Sequence, residues 1–286
     1  MKSFTAGSDA SAPPRPAAAK PASKIADLKV RVLSALVLGP VVLLAVWAGG
    51  WVFRALLAVS ALVAIGEWVL MVASDRTPEA FWHSLLAMLV VMVVYALGGP
   101  LAALAVAVAL GFIVQASAGG STGSWLLGLG IPYVTAGVAG LAWLRENPGL
   151  PLVIFCLFAV WATDIGAYAA GRAIGGPKLA PRISPKKTWA GLIGGMVAAA
   201  VFGVAVAFAA GAAKPWLALL VAPLLAVVGQ AGDLFESWVK RRYNVKDSSN
   251  LIPGHGGLLD RIDGLLVAAP VLAVFHATLG KSWQWW

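Results

Sequence analysis

Asp233, Glu236, Ser237 and Lys240 stand at i, i+3, i+4 and i+7, the spacing that puts four side chains on one helical face. They close an apolar stretch, where an unpaired carboxylate is costly unless a bound cation or a lysine offsets it. From Ser237 to Asp263 the chain holds five bases, three acids and a histidine in 27 positions, although only 12% of all residues are charged. Asp260 and Asp263 stand one turn apart before the last apolar stretch. Arg261 lies between them, and Gly254-His255-Gly256-Gly257 precedes them. Two acids at a helix start also serve ordinary capping and dipole complementation. Glycines, however, let backbone N–H groups approach phosphate oxygens. Carboxylates and bases together suit a magnesium ion shared with substrate phosphates. His255 has no second histidine nearby, which argues against zinc; it could donate to a phosphate or simply fix the loop.

A second polar segment runs from Gly171 to Trp189 and supplies Arg172, Lys178, Arg182, Ser184, Lys186, Lys187 and Thr188. The bland reading is a loop that sets membrane topology. The functional one is a phosphate-binding helix start, with hydroxyls and free N–H groups aimed outward at Ser184–Thr188. The frame of a Walker A loop is absent. Asp164 lies inside an apolar run, with Tyr168 and Arg172 on the same side at i+4 and i+8. An intramembrane acid is a functional-site hypothesis by default, the alternative being a structural pair with a neighbouring helix. Glu67, beside Trp68, raises the same question but ranks below Asp164, because no polar neighbours flank it.

The elements that must carry these groups are membrane helices. Mean hydropathy is +0.86 and 60% of residues are hydrophobic. Apolar runs of roughly 18 or more residues recur, the length a helix needs to cross a bilayer. Trp51, Trp82, Trp125, Trp143, Trp189, Trp216 and Trp238 stand where spans should end, and the Ser-Trp-Gln-Trp-Trp tail reads as a further interfacial anchor. The net charge of +9 lies in loops, so anionic headgroups and nucleotide phosphates fit as partners and nucleic acid does not. The single cysteine, Cys156, sits in an apolar run and cannot form an intrachain disulfide.

The fold class expected is an all-α, polytopic transmembrane bundle. Nine spans are predicted, at about 30–48, 52–73, 81–97, 100–117, 124–144, 150–171, 189–211, 215–236 and 264–281. Residues 1–24, rich in Ala, Pro, Ser and Lys, read as a disordered cytoplasmic tail, not a signal peptide. Residues 25–149 then form an N-terminal set of membrane helices and 150–286 a catalytic region. The excess of Lys and Arg in alternate loops places 172–188 and 237–263 in the cytoplasm, with the C-terminus outside.

The Ser237–Asp263 cassette resembles the signature of the phosphatidate cytidylyltransferases, the CDP-diacylglycerol synthases. It meets that pattern at Ser237, Lys240, Arg241, Lys246, Asp247, Pro253, His255, Gly256, Gly257, Asp260, Arg261 and Asp263. Asp164, Ala167, Tyr168, Gly171 and Arg172 resemble the family's intramembrane Asp-x-x-Ala-Tyr-x-x-Gly-Arg. Ile183–Trp189 and Gly232-Asp233 match as well. Ala190 stands where members often carry a polar residue, and Ser249 where glycine is frequent.

The resemblance implies transfer from CTP to phosphatidic acid, giving CDP-diacylglycerol and pyrophosphate, with magnesium at two cation sites. Asp233, Asp260 and Asp263 become expected metal ligands. Lys240, Lys246, His255 and Asp164 become expected catalytic groups. Arg172, Ser184, Lys186, Lys187, Ser237, Arg241, Gly256, Gly257 and Arg261 become expected substrate contacts. Membrane lipids and a second copy of the chain, in a homodimer, complete the expected partners, and a bacterial inner membrane is the expected location. A CTP-dependent lipid kinase is the nearer rival and an anion transporter the further one. The CDP-alcohol phosphotransferase order of residues is absent.

Overall fold

The computed structural model describes residues 24–73, 78–118, 125–280 and 284–286. Residues 1–23 of the expected tail lie outside these residues. Among the described residues, eight α-helices form the bundle: α1 (Lys24–Ala48), α2 (Gly50–Val72), α3 (Pro78–Ser117), α4 (Leu126–Glu146), α5 (Leu150–Ala173), α6 (Trp189–Ala209), α7 (Ala218–Arg242) and α8 (Leu259–Phe275). Seven helical segments among the described residues are long and apolar enough to cross a membrane.

Every expected span falls on helix, but the expected third and fourth share α3. Its helical geometry breaks at Gly99, where φ is 78°, a conformation glycine adopts without a side-chain clash. The two limbs fold back on each other. Tyr95, before the break, reaches Glu146 at the end of α4, and His83 and Ser117, near the two ends of α3, meet at 3.3 Å.

Small residues set the closest helix contacts. Gly166 of α5 faces Gly194 and Ala198 of α6, and Gly111 of α3 faces Gly128 of α4. Added Cβ atoms would overlap the facing backbone, so these glycines let the helices approach closely. Two buried clusters fill the interior. One centres on α5, α7 and α8, and the other joins α2, α3 and α4 to α7 and α8.

Many large apolar side chains remain exposed along the helices, among them Leu36, Leu97, Leu101, Phe112, Ile193 and Val197. That surface suits lipid rather than water. Trp51, Trp82, Trp125, Trp189 and Trp216 are also exposed, as an interfacial belt requires. The tail differs from the expectation. Trp285 is fully buried, packed edge-on against Phe155 and Phe275, and acts as core rather than as an anchor.

One departure from an all-helical chain bears on the site. Within the second polar segment, β1 (Lys178–Ala180) and β2 (Ser184–Thr188) form a small antiparallel hairpin, pairing Lys178 with Thr188 and Ala180 with Ser184. Pro181 and Pro185 conceal it from a search for hydrophobic alternation.

Candidate active site

The C-terminal ends of α2, α5 and α7, the hairpin, and the N-terminal ends of α6 and α8 meet at one end of the bundle. Thr188 links the hairpin to α6. Its hydroxyl accepts the Gly191 N–H at 3.0 Å and caps the helix. That hydroxyl therefore turns inward and not toward solvent as the sequence suggested. The cap fixes Lys186 and Lys187 just ahead of α6. Lys186 is exposed, while Lys187 turns in to pair with Asp233 of α7 at 2.6 Å.

A cavity of about 220 Å³ opens here, lined by Asp164, Tyr168, Lys186, Lys187, Gln230 and Asp233 among others. Asp164 is held by Gln230 Nε2 at 3.4 Å, and Ser237 donates to Asp233 at 3.2 Å. Arg172 donates at 3.2 Å to the hydroxyl of Tyr168, which itself lines the cavity. Arg261 is exposed, and its charge acts on Asp164 from the start of α8. Two segments that are distant in sequence thus form one cleft of mixed charge.

Behind the cleft lies a second charged group. Lys240 is buried, with its ammonium 2.7 Å from Asp260 and 3.3 Å from Glu236. Asp260 is saturated by protein donors. Besides Lys240, its other oxygen accepts from Ser248 N at 2.9 Å, Ser248 Oγ at 3.0 Å and Gly257 N at 2.8 Å. Glu236 is wholly buried. Apart from the ion pair with Lys240 at 3.3 Å, neither of its oxygens has a hydrogen-bond partner among the described residues.

The remaining expected site residues are placed as follows. Lys246 is exposed, and Ser184 is half-buried in β2. Arg241 donates to the Val245 carbonyl at 3.1 Å and closes the end of α7. His255 sits in the turn, with its backbone N–H on Ile252 O and its Nδ1 without a hydrogen-bond partner. Gly256 has φ 84°, and Asp260 Oδ2 lies where a side chain would begin. The Gly257 N–H points at Asp260, so this part of the glycine turn organises a carboxylate and does not face outward.

Glu67, which its sequence neighbours ranked below Asp164, proves to be the better connected of the two carboxylates. It is buried on α2 and accepts hydrogen bonds from Ser249 Oγ, Leu258 N and Leu259 N at 2.6–2.9 Å, and it shares the single Ser248 hydroxyl hydrogen, at 3.0 Å, with Asp260. Its donors lie 181 to 192 residues away, so nothing beside it in the chain announced them. The only signal was a carboxylate inside an apolar helix.

The model of the cytidylyltransferase family matches residues 29–279. The chain belongs to the cytidylyltransferase family. Relatives named phosphatidate cytidylyltransferase support the assignment. That of Brucella suis biovar 1 is 39% identical over 266 residues, 90% of this chain and 96% of the relative. That of Pseudomonas aeruginosa is 38% identical over 260 residues, covering 86% and 96%. That of Bacillus subtilis is 46% identical over 128 residues, 44% of this chain and 48% of the relative. The match spans the cleft residues from Asp164 to Asp233 and the cassette that follows them.

The carboxylates suit a hard divalent cation. Asp164 and Asp233 line the cleft together, and Glu236 lies one turn beyond Asp233 on α7. Among the described residues, no group of three His, Cys, Asp or Glu side chains could by itself hold a metal ion. Magnesium does not need one, since one or two carboxylates with water and substrate phosphates make its usual shell.

Proposed function

We propose that this protein transfers the cytidylyl group of CTP to phosphatidic acid, releasing pyrophosphate and forming CDP-diacylglycerol. The observation that carries the reading is the cleft itself. It sets Lys186, Lys187, Asp164 and Asp233 together at the end of apolar helices, in a chain of the cytidylyltransferase family. A phosphate oxygen of phosphatidic acid attacks the α-phosphorus of CTP, and the bond to the bridging oxygen of the β-phosphate breaks. The attacking phosphate is already an anion at neutral pH, so no strong base is needed. The difficulty is bringing two anions together and stabilising the leaving pyrophosphate, which fixed cations can do.

Lys186 and Lys187 line the cleft and would meet the reacting phosphates, with Arg172, Arg261 and Lys246 as the further cations for substrate. Lys187 is held by Asp233 and would turn to phosphate when substrate enters. Asp233 and Asp263, with Glu236 behind them, would hold magnesium, which neutralises phosphate charge when bound. Asp260 and Lys240, expected as a metal ligand and a catalytic group, have a structural part besides. Their hydrogen bonds organise the loop beneath the cleft. Exposed Ile165, Tyr168, Ile193 and Val197 mark the α5–α6 face along which acyl chains would lie. The charge asymmetry of the loops supports a cytoplasmic cleft in a bacterial inner membrane, reached by CTP from water and by the lipid from the bilayer.

The test is turnover by purified protein with CTP, phosphatidic acid and magnesium. Equal amounts of pyrophosphate and CDP-diacylglycerol are expected. CDP together with a newly phosphorylated lipid would instead indicate a kinase.

A further inference from the structure

The helix that carries Asp260 and Asp263 has no cap of its own. Leu258 occupies its N-cap position, with no side chain able to accept from the first turn. The first N–H groups of a helix need acceptors, and a carboxylate there also complements the helix dipole. Glu67 supplies both from α2. Oε1 accepts the Leu258 N–H at 2.9 Å and Oε2 the Leu259 N–H at 2.7 Å. The same two oxygens accept from Ser249 Oγ at 2.6 Å and Ser248 Oγ at 3.0 Å.

We propose that Glu67 is a positioning residue for the transfer reaction, capping α8 from another helix and thereby holding Asp260 and Asp263 in place beside Asp233 and Lys240. Its side chain is buried, so it acts through the cassette and not on substrate. Ser248 ties the two carboxylates together, its hydroxyl lying 3.0 Å from both Glu67 and Asp260. The turn is built around Glu67. A side chain at Gly257 would overlap Ser248 Oγ and both Glu67 oxygens. The neighbouring Trp68 fixes α2 itself. Its Nε1 donates to Leu126 O at 2.8 Å, and its ring stacks on Phe235 of α7 with centroids 6.1 Å apart. The N-terminal helices thus have a stated task in catalysis, which is to hold the first turn of α8.

This inference rests on the proposed transfer reaction. Its test compares the wild type, Glu67→Gln and Ser249→Ala, each as monodisperse full-length protein in detergent. The amide turns two donors toward groups that are themselves donors. kcat should fall by about tenfold or more, since each 1.4 kcal/mol is a factor of ten. KM for CTP and for phosphatidic acid should stay within about threefold, because no substrate contact is removed. Hydrogen exchange across residues 257–262 should quicken. Ser249→Ala, which loses one donor of four, should show the same pattern more weakly. Wild-type kcat in monodisperse Glu67→Gln overturns the proposal, as does a change confined to KM. If Glu67→Gln yields no monodisperse protein, Ser249→Ala decides: wild-type kcat and exchange overturn the proposal. A wild-type protein that makes no pyrophosphate would strike the proposed reaction instead.

Discussion

Lys240 gives the sharpest separation between a group that binds substrate and one that holds the site together. Its ammonium lies between Asp260, whose side chain is 4% exposed, and Glu236, which is not exposed at all. Lys240→Met keeps most of the volume and removes the charge. Glu236 then has no cation beside it, and Asp260 loses its shortest partner. Removing one member of a buried ion pair costs about 3–5 kcal/mol, because the other charge stays buried. For a chain of this size that corresponds to a fall in Tm of about 6–20 °C. The assay is thermal unfolding in detergent followed by tryptophan fluorescence. Lys186→Met is the control. Lys186 is exposed, so its loss should cost within about 0.5 kcal/mol. Adding Glu236→Gln to Lys240→Met should recover part of the loss, since the stranded carboxylate becomes neutral. An unshifted Tm in Lys240→Met, or no recovery in the double variant, would refute this reasoning and leave Lys240 with the catalytic part alone.

Four further outcomes are expected. Lys187→Met should lower kcat/KM by about tenfold or more while Tm changes little, because its partner Asp233 is one-third exposed and stays hydrated; steady-state kinetics beside the melting curve checks this. Asp233→Asn and Asp263→Asn should each cut turnover by about a hundredfold, and chelation of divalent cations should abolish wild-type activity; full activity in both variants would remove them from the cation site. Gly166→Val should lower both activity and yield of folded protein, since a Cβ there would lie 2.5 Å from that of Ala198 and 2.7 Å from the Gly194 carbonyl; size-exclusion profiles and activity report it. In a Cys156→Ala background, an impermeant thiol reagent added to intact cells should label Ala213→Cys and spare Arg182→Cys, both exposed positions at opposite ends of α6; the reverse pattern would invert the orientation.

Much of this arrangement can be read from residue spacing, and what escapes it has definite physical causes. Asp233, Ser237 and Lys240 share a helical face, and the Ser237 hydroxyl does meet Asp233. Hydropathy located each helix because a bilayer demands long apolar runs. Gly98-Gly99-Pro100 marked the break in α3, although not that two spans would share one helix. Spacing is silent about long-range partners, so it ranked Glu67 low and gave no sign of the donors around Asp260. The donors that fill those two carboxylates come from backbone N–H groups and two serines, whose positions only the folded loop defines. Trp285 misled for a related reason. Tryptophan suits both a membrane interface and a core, and the partners that bury it, Phe155 and Phe275, lie on two other segments.

The central claim is most directly tested by product analysis. Purified protein in detergent with phosphatidic acid is given CTP labelled at the α-phosphate, with magnesium, and both phases are analysed. The account expects the label to move into the lipid phase as CDP-diacylglycerol, with one pyrophosphate released per lipid formed. Label that stays in water as CDP, or a lipid phase that gains no cytidine, would contradict it.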